Sequence, residues 1–260
     1  MIDSFPLFEF DEDRTAIIEP HHLLVRRDDF PEHAVICFFH DVLGDLRERE
    51  ATEVIGFLTS EAGPNPMLRV DVDGTPVVAI QPGIGAPMAA FVLEELIALG
   101  ARTVVACGGA GVLDRDIAVG QLLIPTSAVR DEGTSFHYAP PSREISQDPG
   151  MVTAIASTLD RHGIGYRLGK TWTTDAIYRE TRARVARRQA EGCAMVEMEA
   201  SALFAVGAFR GVPVGQILYG GDDVSGLGDW DPRDWDTHTI RERLFWLAAE
   251  SCLAYQPSSS

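Results

Sequence analysis

Long apolar runs are missing from this 260-residue chain. No stretch approaches the roughly eighteen consecutive apolar residues that a membrane-crossing helix needs. The opening MIDSFPLFEFDEDR lacks the basic start and apolar centre of a secretory leader. A cytoplasmic protein without a membrane partner is therefore expected. Cysteine is scarce as well. Cys37, Cys107, Cys193 and Cys252 lie far apart with no CxxC pair, which argues against a structural zinc site and against a disulfide framework. Buried thiols are the simpler reading. The seven histidines show no H-x-x-x-H or comparable spacing, so no metal is assigned. Basic residues are few: 22 Lys and Arg face 39 Asp and Glu, a formal net charge of -17. Phosphate backbones are bound by clustered cations, so nucleic acid is a poor partner and a small molecule a better one.

Hydrophobic residues make up 45% of the chain, enough for one sizeable α/β domain. Short apolar runs at 34–39, 77–80 and 103–107 read as strands bounded by turn residues. Between the last two, 88–99 reads as a helix with an apolar face and Glu94 and Glu95 exposed, closing at Gly100. Further strands are expected at 121–125, 194–196 and 214–219, and helices at 151–162, 200–210 and 241–252. Alternating strands and helices imply a largely parallel, covered sheet, with ligands held where glycine-rich loops follow the carboxyl ends of strands.

Three such exits stand out. Pro82-Gly83-Ile84-Gly85-Ala86-Pro87 joins a strand to a helix, where the backbone can approach a ligand and free amides point outward; a tight turn explains the same glycines. Cys107-Gly108-Gly109-Ala110-Gly111 follows the next strand, and two loops on adjacent strands share one crevice. Val196-Glu197-Met198-Glu199-Ala200 brings two acids to a strand exit, where a carboxylate can accept both hydroxyls of a ribose; a solvated helix start is the bland alternative. Gly220-Gly221-Asp222-Asp223 adds a second acidic exit, suited to protonating a leaving base or, equally, to an Asx turn. The glycines form no GxGxxG at a strand-to-helix turn, which sets aside a dinucleotide site.

Read in order, these segments resemble the nucleoside phosphorylase and uridine phosphorylase superfamily over nearly all of residues 34–250. The run from Asp73 to Tyr138, with its PGIGAP and CGGAG segments, looks like that family's glycine-loop half. TTDAIYRET (173–181) resembles its base-site segment and VEMEASALF (196–204) its sugar-binding signature. The resemblance implies a single α/β domain over 34–254, with a central mixed, largely parallel sheet flanked by helices. Residues 1–33 would form an N-terminal extension and 255–260 a disordered tail. It also implies cleavage of the N-glycosidic bond of a nucleoside. Glu199 would hold the ribose 2' and 3' hydroxyls, Met198 would pack under the sugar, and Asp222 would protonate the base, with a weak lean to purines. Gly85, Gly108, Gly109, Ile177, Tyr178, Glu197 and Asp223 would line the substrate site, Asp223 raising the proton affinity of Asp222. No cofactor is implied beyond inorganic phosphate as a co-substrate if the reaction is phosphorolytic. A homo-oligomer, dimer or hexamer, is implied too, with His21 or His22 either lent to a neighbour's site or simply on the surface.

The phosphate ligands depart from the family pattern. The first loop reads Phe38-Phe39-His40-Asp41-Val42, the neighbour's Arg falls near Gly63, a third Arg becomes Ala106 and the loop Thr becomes Gly109. Each charged hydrogen bond to a desolvated dianion contributes roughly 1.5 to 3 kcal/mol, so losing three guanidinium groups weighs heavily against phosphate. Arg47, Arg49 or Arg69, or a nest of backbone amides at 108–111, are the available substitutes. Hydrolysis is at least as well supported, with Asp41 or His40 near the place where the superfamily's hydrolases activate water. The competing reading from another class is a nucleoside-binding or sensing protein that keeps the crevice without turnover.

Overall fold

Alternation along the central strands decides which residues are buried where. The computed structural model describes residues 5–226, 228, 230–234 and 238–257. Strand β1 (His33–Cys37) runs parallel between β4 (Thr75–Ile80) and β5 (Thr103–Val112). Ala34, Ile36, Val78, Ile80, Val104 and Ala106 point to one face, and Val35, Cys37, Val77, Ala79, Val105 and Cys107 to the other. Helices cover both faces, which is why these strands are apolar throughout. Helix α3 (Ala86–Leu99) and α6 (Ala200–Arg210) pack on the first face; α2 (His40–Arg47), α4 (Pro149–Arg161) and α7 (His238–Ala254) pack on the second. Each Val, Ile or Leu buried this way contributes roughly 1.5–3 kcal/mol.

Strands β6 (Leu122–Asp131), β8 (Tyr166–Thr174), β9 (Cys193–Glu197) and β10 (Val214–Asp223) complete the site's half of the sheet. Because β10 pairs with both β5 and β6, the path β5-β10-β6-β8-β9 closes on itself, β9 returning to β5 through Gly111↔Val196. Strand exits far apart in sequence are thereby brought to one rim. The opposite edge is a hairpin of β2 (Glu53–Ser60) and β3 (Gly63–Val72), antiparallel to β4. The sheet is thus mixed, as expected, with antiparallel β9–β5 and β10–β6 pairings set among the parallel ones.

Several sequence expectations need correcting. Strands β5 and β10 run on to Val112 and Asp223, so 108–111 and 220–223 are strand rather than loop. Pairing of Leu218, Tyr219 and Gly220 with Gly108, Gly109 and Ala110 gives the backbone its partners despite the weak strand preference of glycine. Glu94 and Glu95 are buried, not exposed, because Arg210 and the N-terminal segment cover that face of α3. The β2–β3 hairpin, β8, β7 (Glu144–Ser146) and α5 (Arg182–Ala190) had no clear periodic signal. The four thiols are free and buried, and burial pushes Cys193 and Cys252 up to about 12. In the tail, Tyr255 packs against the core beside α4, and 258–260 lie outside the described residues.

Candidate active site

The exits of β9 and β10 meet at Gly111. A side chain there would come within 3.0 Å of the Val196 methyl and 3.5 Å of the Asp222 carboxylate, so only glycine allows this approach without displacing a neighbour. On the β9 side, Glu197 and Glu199 are both buried. Glu197 accepts from the Thr173 hydroxyl at 2.7 Å and from the Glu199 and Ala200 amides at 2.7 and 2.6 Å. Both its oxygens are therefore engaged in closing the start of α6, so its contribution is to hold Glu199 rather than to face a ligand. Glu199 accepts from the Gly85 amide at 2.6 Å and from the Met198 amide at 3.3 Å. Gly85 has a φ of 100°, a region that favours glycine, and directs its N-H away from α3 toward that carboxylate. Burial is the main cause that raises the proton affinity of both acids, and for Glu199 the neighbouring Glu197 adds to it. Such a site can hold a hydroxyl-bearing ligand while keeping one proton available.

On the β10 side, the Trp230 indole N-H donates to Asp222 at 2.7 Å. Asp223 turns away: it accepts from the Ser225 amide at 2.7 Å, and its backbone bridges Asp231, the Asx-turn alternative. Glu180, which sequence reasoning passed over, lies within range of the Asp222 charge. Burial first, then the charge of Asp222, push Glu180 up to about 7. It follows the short turn that carries Ile177 and Tyr178, which are 54% and 96% exposed and stand open to solvent in the single chain.

The glycine pair of β5 has a packing role. A side chain at Gly108 would meet the Phe38 ring at 3.2 Å, and one at Gly109 would meet the Tyr219 ring at 3.1 Å. Arg241 of α7 donates to the Tyr219 hydroxyl at 3.3 Å, lies over the Phe39 ring and pairs with Asp41 at 3.2 Å. Burial would raise the Asp41 carboxyl, but the Arg241 contact and the amides opening α2 outweigh it and hold it below its ordinary range. The cap of α2 is Phe39, so Asp41 stands in the first turn. Arg49 is engaged with Glu242, while Arg47 and Arg69 are exposed. The guanidinium that reaches this end of the glycine strand is thus Arg241, about which no local motif gives notice.

Residues 32–245 match the model of the phosphorylase superfamily. This chain belongs to the phosphorylase superfamily. Among its relatives, the guanosine phosphorylase of Halorubrum lacusprofundi is 29% identical over 199 residues, 75% of this chain and 80% of that protein. The uridine phosphorylase of Escherichia coli is 30% identical over 163 residues, 57% of this chain. That alignment spans 64% of the relative, less than two thirds of its length. The fold is shared with the AMP nucleosidase structure from Bacteroides thetaiotaomicron, with a TM-score of 0.69 over 86% of this chain and 87% of that one at 23% identity. Within the superfamily segment lie Glu199, Met198, Asp222, Gly85 and the glycine strand, brought together at one rim. Ile177 and Tyr178 belong to the adjoining turn. Asp41 and His40 lie across the Tyr219–Arg241 contact, on the other side of Gly109.

Proposed function

We propose that this superfamily member cleaves the N-glycosidic bond of a nucleoside, releasing the free base, with water as the nucleophile. The observation that carries the reading is the meeting of two acidic exits at Gly111: Glu199 fixed by the Gly85 amide, and Asp222 beside Glu180. Glu199 holds the sugar hydroxyls, and Asp222 protonates the base as positive charge builds on the sugar ring. Water is favoured over phosphate because the space beside Gly109 is filled by the Tyr219 ring and the nearby guanidinium already faces a carboxylate, Asp41. This reading gives Asp41, held by Arg241, the role of orienting that water. No cofactor is needed for this chemistry.

Arg241 also favours a second reading. If Asp41 swings aside, a guanidinium next to Gly109 offers an anion the charge-assisted partner that phosphorolysis requires. One assay separates the two: base release from a panel of purine and pyrimidine nucleosides, with and without phosphate, with the sugar product identified by mass. Free ribose at an undiminished rate without phosphate is expected. Ribose 1-phosphate formed only on phosphate addition overturns the water reading, and tight nucleoside binding without any cleavage overturns the enzyme. A homo-oligomer belongs to the same proposal, since Ile84, Ile177 and Tyr178 stand exposed around the rim. Sedimentation at a single-chain mass removes that part.

A further inference from the structure

The N-terminal segment that covers α3 lies before the superfamily match, which begins at residue 32. Between this segment and α3 is a cavity of about 770 Å³, within the range of sites that enclose small organic molecules. Its walls are largely apolar: Ile18 and Leu23 on one side, Ala90 and Phe91 on the other, and Phe209 at the end of α6. Of its three buried carboxylates, Glu19, Glu94 and Glu95, two are matched, while Asp11 and Asp13 at its edge are exposed. Arg210 pairs with Glu94 at 2.7 Å and with Glu19 at 3.2 Å, and Arg14 lies over the Phe209 ring at 4.5 Å.

Glu95 is the exception. It lines the cavity, is only 7% exposed, and its Oε2 has no hydrogen-bond partner among the described residues. Burial alone raises its proton affinity, with no cation nearby to offset the effect. A desolvated carboxyl without a partner costs more than the same group paired, and native proteins retain few of them. A ligand that brings its own cation or donor into this half-open, largely apolar groove, with Ile18 and Leu23 exposed on its outer wall, lowers that cost.

We propose that this cavity binds an organic amine carried on an apolar body, its ammonium group meeting Glu95 and its carbon frame lying between Leu23 and Phe91. The site is independent of the reaction proposed above, since it is built from residues that the rim does not use. An amine supplies a countercharge for the Glu95 carboxylate and an apolar surface for the walls. An anionic ligand would meet Glu95, Glu94 and Glu19 together and is disfavoured.

Calorimetric titration of the full chain with 2-phenylethylamine, agmatine and spermidine, against neutral 2-phenylethanol, tests this directly. At least one amine is expected to bind once per chain with a Kd of about 1 mM or tighter. Glu95→Gln, nearly the same shape without the charge, should weaken it by roughly tenfold or more. A second variant, Leu23→Trp, places an indole on the exposed wall, and its emission should shift on saturation with the amine. The proposal is overturned if none of the three amines binds. It is equally overturned if Glu95→Gln binds as well as the native chain, because diffuse attraction to an acidic surface would then suffice, or if the Leu23→Trp emission stays unchanged at saturation.

Discussion

Glu197 and Glu199 are locked by the Thr173 hydroxyl and by backbone amides at the start of α6 and at Gly85, whereas Glu180 lies within range of the Asp222 charge at a more open corner where Trp230 donates to Asp222. The first pair is buried and shaped by backbone geometry; the second is half-buried and shaped by side chains from two distant segments. A carboxylate held by amides keeps its position, because those donors cannot rotate away. Burial raises the proton affinity of Glu197, Glu199 and Glu180 alike, so the two corners differ in how their carboxylates are held rather than in whether one keeps a proton. On the function proposed above, the held corner would place the sugar and the more open corner would serve the leaving base.

The strongest way to break that division is at the open corner. Asp222→Asn should lower turnover by about 10² to 10⁴-fold, the usual contribution of a positioned acid, with nucleoside binding retained; full turnover on every accepted nucleoside would remove Asp222 from the chemistry. Next is Glu199→Gln, expected to reduce kcat/KM by about 10²-fold through a misplaced sugar. A 2'-deoxynucleoside should lose less from this change than the ribonucleoside does, and equal losses would separate Glu199 from the sugar. Glu197→Gln sharpens the contrast from the other side. It places an amide group against the N-H groups of Glu199 and Ala200, so urea unfolding should show a loss of about 1–3 kcal/mol, and an unchanged midpoint would show that the capping role is wrong.

The smallest effect concerns Glu180. Its proton affinity in the folded chain is raised to about 7 from an ordinary 4.5. Between those values the folded chain keeps a proton that the unfolded chain releases, so this group's contribution to stability falls as pH rises through that window. Melting temperatures of the native chain should decline relative to Glu180→Gln between these limits and converge below 4.5. Parallel curves across the window would show that Glu180 does not hold the proton.

Much of the rim was legible in the sequence because its parts are local. PGIGAP and VEMEA stand at strand exits as read, and the apolar runs marked the central strands to within a few residues, whereas the CGGAG glycines lie inside β5 and make room for the Phe38 and Tyr219 rings. What escaped notice was non-local. Arg241 meets Asp41 across 200 positions of chain, and Glu180 reaches Asp222 only after the sheet has closed. The exposed reading of Glu94 and Glu95 failed for the same reason: the group that neutralises Glu94 comes from α6. Asp223, by contrast, had an Asx turn available within two residues and took it.

By itself, then, the sequence determined the alternating α/β order, the apolar strands and the presence of acids and glycines at strand exits, since these follow from side-chain size and polarity over a few neighbouring residues. Only the tertiary structure decided which acids are locked, which lie within range of each other's charge and which guanidinium stands beside the glycine strand. Pairing β10 to both β5 and β6 sets those distances, and burial then sets the proton affinities of the groups brought together.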